Sequence, residues 1–200
     1  LVEIADRRDA ILIVDEAHGT GVWGESGRGA CEAQGIADRV PVRIGTLSKA
    51  VGSLGGFVAG DQRLIDWLWN RGRTQVYSTA LPPAVCAAAA EGLRIITAEP
   101  QRRAALWRNC DLFRQKLQGV GIDPPRAAAG PIVPLVLADA ELAVEIAGRL
   151  EERGFLVGGI RPPTVPQGTS RLRITLSAVH DEESLVELVE AIRAVWPRFR

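Results

Sequence analysis

Lys49 is one of two lysines in a chain that otherwise takes its cations from arginine; Lys plus Arg number 24 in 200 residues, and the other lysine is Lys116. Lys116 sits in the polar stretch RQKLQ and reads as part of a solvated helix face. Lys49 follows the apolar run Val42–Leu47 and precedes Gly52, Gly55 and Gly56. An arginine never gives up its proton in a protein, whereas a desolvated lysine does. A neutral amine is what a Schiff base with a carbonyl compound requires. The competing reading is a lysine on a strand-to-loop turn whose head reaches water. Two further residues of this kind lie upstream. Asp15 ends the short apolar run Ala10–Val14, and His18, one of two histidines, follows three positions later. A carboxylate at the end of a buried strand is costly unless paired. It serves either as a helix N-cap or as counter-ion to a buried cation, and the glycine-rich sequence after it does not read as a helix. His18 is either a structural histidine or part of the same constellation.

The elements that must hold these residues are legible in outline. Ala10–Val14 and Val42–Leu47 are short, continuous, β-branched runs, the pattern of strands buried on both faces of a parallel sheet. Ligands in open α/β sheets sit beyond the carboxyl ends of such strands, where Asp15, His18 and Lys49 all fall. Between the strands lies GTGVWGESGRG, Gly19–Gly29, a loop without helical period that matches neither a dinucleotide fingerprint nor a phosphate-binding P-loop. Gly56–Gly60 is a third short strand. Asp61 caps a helix over 62–71 with Leu64, Ile65, Leu68 and Trp69 on one face. Alanine-rich 84–97 and charged 101–117 are two more helices, with a break at Pro100. From about residue 120 strands and helices alternate. Strands are expected at 132–137, 155–160 and 171–177. Asp139 caps a helix that Gly154 ends, and 181–195 forms an amphipathic helix. These patterns predict an α/β chain divided near residue 100: residues 1–100 as the later part of a large, mostly parallel-sheet domain, and 101–200 as a smaller α+β domain.

Composition removes several classes. The formal net charge is +0, so nothing favours nucleic acid or an anionic membrane electrostatically. No apolar run reaches the roughly 20 residues of a membrane span. Cys31, Cys86 and Cys110 are odd in number and widely spaced. They form neither a disulfide framework nor a metal motif, which fits a reducing compartment, and a cytoplasmic location is expected. The chain opens LVEIADRRDA without methionine, so preceding sequence is expected.

An amine, a carboxylate and an imidazole converging at strand ends suit a cofactor with an aldehyde, a cationic ring nitrogen and a phenolic oxygen. Pyridoxal phosphate carries all three. The stretches VDEAHGTGVWGESGRG, GTLSKAVGSLGGFVAG, YSTALPP and IRPPTVPQGTSRLRITLSAVH together resemble the α-oxoamine synthases, which are fold-type I pyridoxal-phosphate enzymes. The resemblance runs from Ile11 to His180, and the last stretch favours the branch of the family that serves biotin synthesis. It implies that Lys49 holds the cofactor and moves protons at the substrate Cα, that Asp15 pairs with the ring nitrogen and that His18 touches the phenolic oxygen. It further implies that Thr46 binds the phosphate, that Ser78 and Thr79 reach that phosphate from the other subunit of a homodimer, that Thr164 contacts substrate and that Arg173 grips the substrate carboxylate. For Arg173 a plain exposed strand arginine is the alternative, but Leu172 and Ile174 must face the core, which leaves Arg171 and Arg173 on the other side. The implied reaction is a decarboxylative Claisen condensation of L-alanine with a pimeloyl thioester, carried on coenzyme A or a carrier protein. A sibling using glycine, such as glycine C-acetyltransferase or 5-aminolevulinate synthase, is one rival reading. A non-catalytic α/β binding module built on the Gly19–Gly29 loop is another. No metal is implied. The family also implies a front half with a phosphate-cradling turn, a ring-stacking histidine and a serine, none of which is found here. The chain is therefore expected to be a C-terminal fragment that is inactive and poorly soluble by itself, or folded only in its second part.

Overall fold

The computed structural model describes residues 1–125 and 130–197. They form two compact units, Leu1–Arg103 and Ala104–Arg200.

In the first unit, helix α1 (Val2–Arg7) leads to strand β1 (Ile13–Asp15). After the glycine loop come a short helix α2 (Ala30–Ala33), a 3-10 turn at Ala37–Arg39, strand β2 (Val42–Thr46) and strand β3 (Gly56–Ala59). The strands lie in the order β1-β2-β3; β1 pairs β2 in parallel and β3 returns antiparallel to β2. Helices α3 (Gln62–Arg71), α4 (Arg73–Val76) and α5 (Pro83–Ala98) follow. Asp61 caps α3 by accepting the Leu64 N–H at 2.8 Å, as its type and position require.

Register fixes which side chains share a face, because alternate strand residues point oppositely. Val14, Arg43, Gly45, Phe57 and Ala59 lie on one face. Val14 packs there with Val2, Cys31 and Val40. A Cβ on Gly45 would stand 2.2 Å from the Phe57 ring, so glycine at 45 leaves room for that ring to lie flat across the strand. The opposite face carries Ile13, Asp15, Ile44, Thr46 and Val58. It is not covered: Ile13 is 57% exposed, Ile44 38% and Val58 40%. The expectation that β1 and β2 are buried on both faces is thus corrected. Their apolar composition suits two covered faces, and the described residues supply a cover for one. β1 also starts three residues later than its apolar run, since the ladder begins where Ile13 meets Val42. On α3, Leu64, Ile65 and Leu68 are half-buried, but Trp69 is exposed rather than facing inward.

In the second unit, helix α6 (Pro100–Gly119), which starts in the first, contributes Cys110, Phe113 and Leu117 to the core. Strands β4 (Ile132–Ala138), β5 (Gly158–Ile160) and β6 (Ser170–Thr175) form an antiparallel sheet in the order β4-β6-β5. Helix α7 (Ala140–Glu151) packs on this sheet and on α8 (Glu182–Val195). Val133, Leu135 and Leu137 alternate inward from β4, and Leu172 and Ile174 from β6. Ala143, Ile146 and Leu150 from α7 meet them, as do Leu185, Leu188, Val189 and Ile192 from α8, at the spacing of one helix face. Asp139 and Asp181 cap the two helices through the Leu142 and Ser184 N–H groups. Phe155 packs against the core without joining a strand; the expected strand over 155–160 is confined to its last three residues.

Candidate functional site

Parallel pairing places the ends of β1 and β2 at one end of the first unit's sheet. Asp15 is the last residue of β1 and pairs across to Ile44; Thr46 ends β2 and Lys49 lies three residues beyond it. Asp15, His18, Thr46 and Lys49 are therefore brought together at the carboxyl ends of a parallel pair, and Asp15 and Thr46 share the open face.

Each is held by local chemistry. Asp15 Oδ1 accepts the Ala17 N–H at 2.8 Å. This is an Asx turn, not a helix cap, and the chain after it makes turns rather than a helix. His18 lies inside the turn closed by the Gly19 N–H donating to the Glu16 carbonyl at 2.8 Å. The Thr46 hydroxyl donates to the Gly55 carbonyl at 3.1 Å, stands 2.7 Å from the Ser48 hydroxyl and accepts the Ser48 N–H at 3.2 Å. The Lys49 loop is tied at its base as well. The Leu47 N–H donates to the Gly55 carbonyl at 2.9 Å, and the Ser53 N–H to the Leu47 carbonyl at 2.7 Å. Gly55 has φ +105° and Gly52 +74°, values that favour glycine. Helix α5 supports the loop from outside. The Ser53 hydroxyl donates to the Val85 carbonyl at 2.8 Å, and a Cβ on Gly92 would stand 2.4 Å from the Val51 carbonyl oxygen.

Lys49 itself is exposed. The desolvated setting expected from its small and apolar sequence neighbours is not supplied by the described residues, because those neighbours build the turn beneath it instead of enclosing its amine. Ser78 and Thr79 are exposed after α4; the Ser78 hydroxyl donates to the Thr74 carbonyl. In the second unit, Thr164 is exposed in the turn after β5, its N–H donating to the Arg161 carbonyl at 3.1 Å. Arg173 stands exposed on β6 between Pro134 and Gly158, while Leu172 and Ile174 are buried, as the alternation requires.

Sequence reasoning passed over the residues that shape the glycine loop. Glu16 is buried and binds the first N–H groups of α2. Glu32 accepts from the Ser26 N–H and hydroxyl and from the Arg28 N–H. Burial pushes the Glu32 carboxyl up, but these hydrogen bonds outweigh it and hold the group below the ordinary glutamate value. Arg103, also buried, donates to the Ile96 and Glu25 carbonyls. The signal was a glutamate on each side of a glycine loop, Glu16 before it and Glu32 after it. Among the described residues, no group of three His, Cys, Asp or Glu side chains could hold a metal ion, and no helix is long and apolar enough to cross a membrane.

An aspartate and a lysine at adjacent parallel strand ends, followed by an antiparallel return strand, define a class before any particular member. Residues 1–192 match the class I and II aminotransferases, and the chain belongs to that family. Within it, the chain is 49% identical over 197 residues to 8-amino-7-oxononanoate synthase from Anaeromyxobacter dehalogenans, an alignment covering 98% of this chain and 49% of that protein. The solved 8-amino-7-oxononanoate synthase of Francisella tularensis superposes with a TM-score of 0.83 at 28% identity, covering 96% of this chain and 56% of the other. A serine palmitoyltransferase solved with pyridoxal phosphate as its internal aldimine superposes with a TM-score of 0.90 at 32% identity, covering 97% and 50%. The chain thus spans about half the length of the curated relatives it matches.

Proposed function

We propose that the protein carrying this chain is a pyridoxal-phosphate-dependent acyltransferase that joins L-alanine to a pimeloyl thioester, with loss of carbon dioxide, to give 8-amino-7-oxononanoate. The observation that carries the reading is the placement of Asp15 and Lys49 at the same end of the parallel pair β1/β2, the end at which the Thr46 and Ser48 hydroxyls also stand. This donor set fits the cofactor: an exposed primary amine for its aldehyde, an exposed carboxylate with one oxygen engaged by the Ala17 N–H for its ring nitrogen, and hydroxyls for its phosphate. When bound, pyridoxal phosphate supplies an electron sink for the carbanion at the amino-acid Cα.

The chain's own residues supply the rest. Lys49 would hold the cofactor through its amine and would take and return a proton at the substrate Cα. Asp15 holds the ring nitrogen protonated by accepting its N–H, a charge-assisted bond. His18 bonds the phenolic oxygen and Thr46 the phosphate. Ser78 and Thr79 reach the phosphate from the partner in a homodimer. Thr164 contacts substrate, and Arg173 presents a planar guanidinium suited to two parallel bonds with a carboxylate. Residues 1–100 belong to the large cofactor domain and 101–200 to the small one, and the enzyme works in the cytoplasm. A sibling of the same family that uses another amino acid, such as glycine C-acetyltransferase or 5-aminolevulinate synthase, is the second reading, since the solved neighbours include a serine palmitoyltransferase as well as an 8-amino-7-oxononanoate synthase. A panel of alanine, glycine and serine against pimeloyl and shorter acyl thioesters separates them.

The central test is borohydride reduction of the complete encoded protein with pyridoxal phosphate, followed by peptide mass mapping. The reduced adduct is expected on Lys49 and is expected to vanish in Lys49→Ala. A cofactor adduct retained in that variant overturns the reading.

A further inference from the structure

Glu16 is a buried carboxylate to which none of the roles above gives work. It is 3% exposed. Its Oε2 accepts the Ala30 N–H at 2.7 Å and its Oε1 the Cys31 N–H at 2.7 Å. A Cβ on Gly19 would stand 2.0 Å from Oε2, and one on Gly29 would stand 2.4 Å from it. Both glycines therefore leave the slot that the carboxylate fills. The Cys31 thiol beside it is pushed up to about 11, by burial first and then by the Glu16 carboxylate.

The backbone of Glu16 is equally committed. Its N–H donates to the Ile44 carbonyl at 2.7 Å, which extends the β1–β2 ladder by one residue. Its carbonyl accepts the Gly19 and Thr20 N–H groups at 2.8 Å each and the Thr20 hydroxyl at 3.1 Å. Asp15 is the preceding residue and points to the other side of the strand. His18 lies within the turn that the Glu16 carbonyl closes. A rotation of the chain at Glu16 would swing Asp15 and His18 together. A buried ionised carboxylate is costly unless fully bonded, and here every bond it makes fixes the segment carrying those two residues.

We propose that Glu16 is a positioning residue: its carboxylate, clamped by the Ala30 and Cys31 N–H groups and bounded by Gly19 and Gly29, sets the orientation of Asp15 and His18 at the sheet end. For the effect on cofactor, this inference rests on the pyridoxal-phosphate reading; for His18 it does not.

The test uses Glu16→Gln in the complete encoded protein. Glutamine keeps the shape but turns an NH2 group toward one of the two N–H donors. Within this chain the histidines are His18 and His180, one in each unit. Their ring resonances are followed against pH by NMR in the cofactor-free protein, with His180 as internal reference. Glu16→Gln is expected to move the titration midpoint of His18 and leave that of His180 in place. With pyridoxal phosphate, it is expected to weaken binding about tenfold, the scale of one lost charged hydrogen bond, and to shift the pH midpoint of the visible cofactor band. Should Glu16→Gln not fold, Gly19→Ala takes its place, because it leaves the charge intact and crowds the carboxylate out of its slot; the same His18 shift is expected. A lower melting temperature with an unchanged His18 midpoint makes Glu16 merely structural and overturns the proposal. A wild-type protein that takes up no cofactor while the His18 shift stands would instead sink the functional reading alone.

Discussion

Both units contain a three-stranded sheet with strongly apolar strands, and they end up in different states. In the second unit α7 and α8 dry one face of β4-β6-β5, and Val133, Leu135, Leu172 and Ile174 are all but inaccessible. The other face carries Arg173 and Thr175 and meets water, a division that β6 announces by alternation. In the first unit the covered face is small, around Val14 and Cys31, and the opposite face shows isoleucines and a valine to solvent. Apolar content alone does not make a core. An alternating strand says which face wants cover and can be satisfied by one layer, whereas a continuously apolar strand asks for two.

The contrast predicts unequal responses to substitution. The largest is expected at Phe113, which is fully buried in the second unit's core. Phe113→Ala should cost about 3–5 kcal/mol, read as a loss of hydrogen-exchange protection in β4 and β6; a cost below about 1 kcal/mol would mean that this core is not the rigid partner in the comparison. A middle effect is expected at Gly92. Replacing a helical glycine by alanine ordinarily stabilises by about 0.5–1 kcal/mol, but here the new methyl would meet the Val51 backbone. A net loss of about 1–3 kcal/mol is expected, read as a lower denaturant midpoint; a rise would show that α5 does not press on the Lys49 loop. The smallest is expected at Ile13. In the 200-residue chain Ile13→Thr should change stability by no more than about 0.5 kcal/mol. In the complete encoded protein the same substitution should cost clearly more. Equal, near-zero effects in both would mean that this face meets water there too and would erase the contrast.

Much of the second unit was legible because its signals are local. Asp139 is followed by an apolar-periodic stretch, Gly154 lies just beyond it, and R-L-R-I-T-L-S alternates cleanly. In the first unit Asp61 and the Val42–Leu47 run were legible for the same reason. The strand ends carrying Asp15 and Lys49 followed from two apolar runs that each stop at a polar residue. What escaped was long-range. Glu16 meets its partners at 30 and 31, Ser53 meets Val85, and Gly92 makes room for Val51. None of these pairs has a sequence period, and each sits where a loop is shaped by a distant element. The exposure of Lys49 is hidden for the opposite reason: small neighbours in sequence can form walls or a floor, and here they form a floor.

Asp15 and Thr46 lie on the same face as Ile13, Ile44 and Val58, so the strength of an electrostatic contact at Asp15 is tied to whatever dries those side chains. In bulk water two unit charges 4 Å apart attract by about 1 kcal/mol, and at an effective dielectric constant near 20 by about 4 kcal/mol. A layer laid over the three aliphatic side chains would move the carboxylate from the first regime toward the second without touching it. Screening at Asp15 therefore reports whether this side of the sheet is closed. An ion pair made there should weaken with added salt while the face is wet and become insensitive to salt once it is dry.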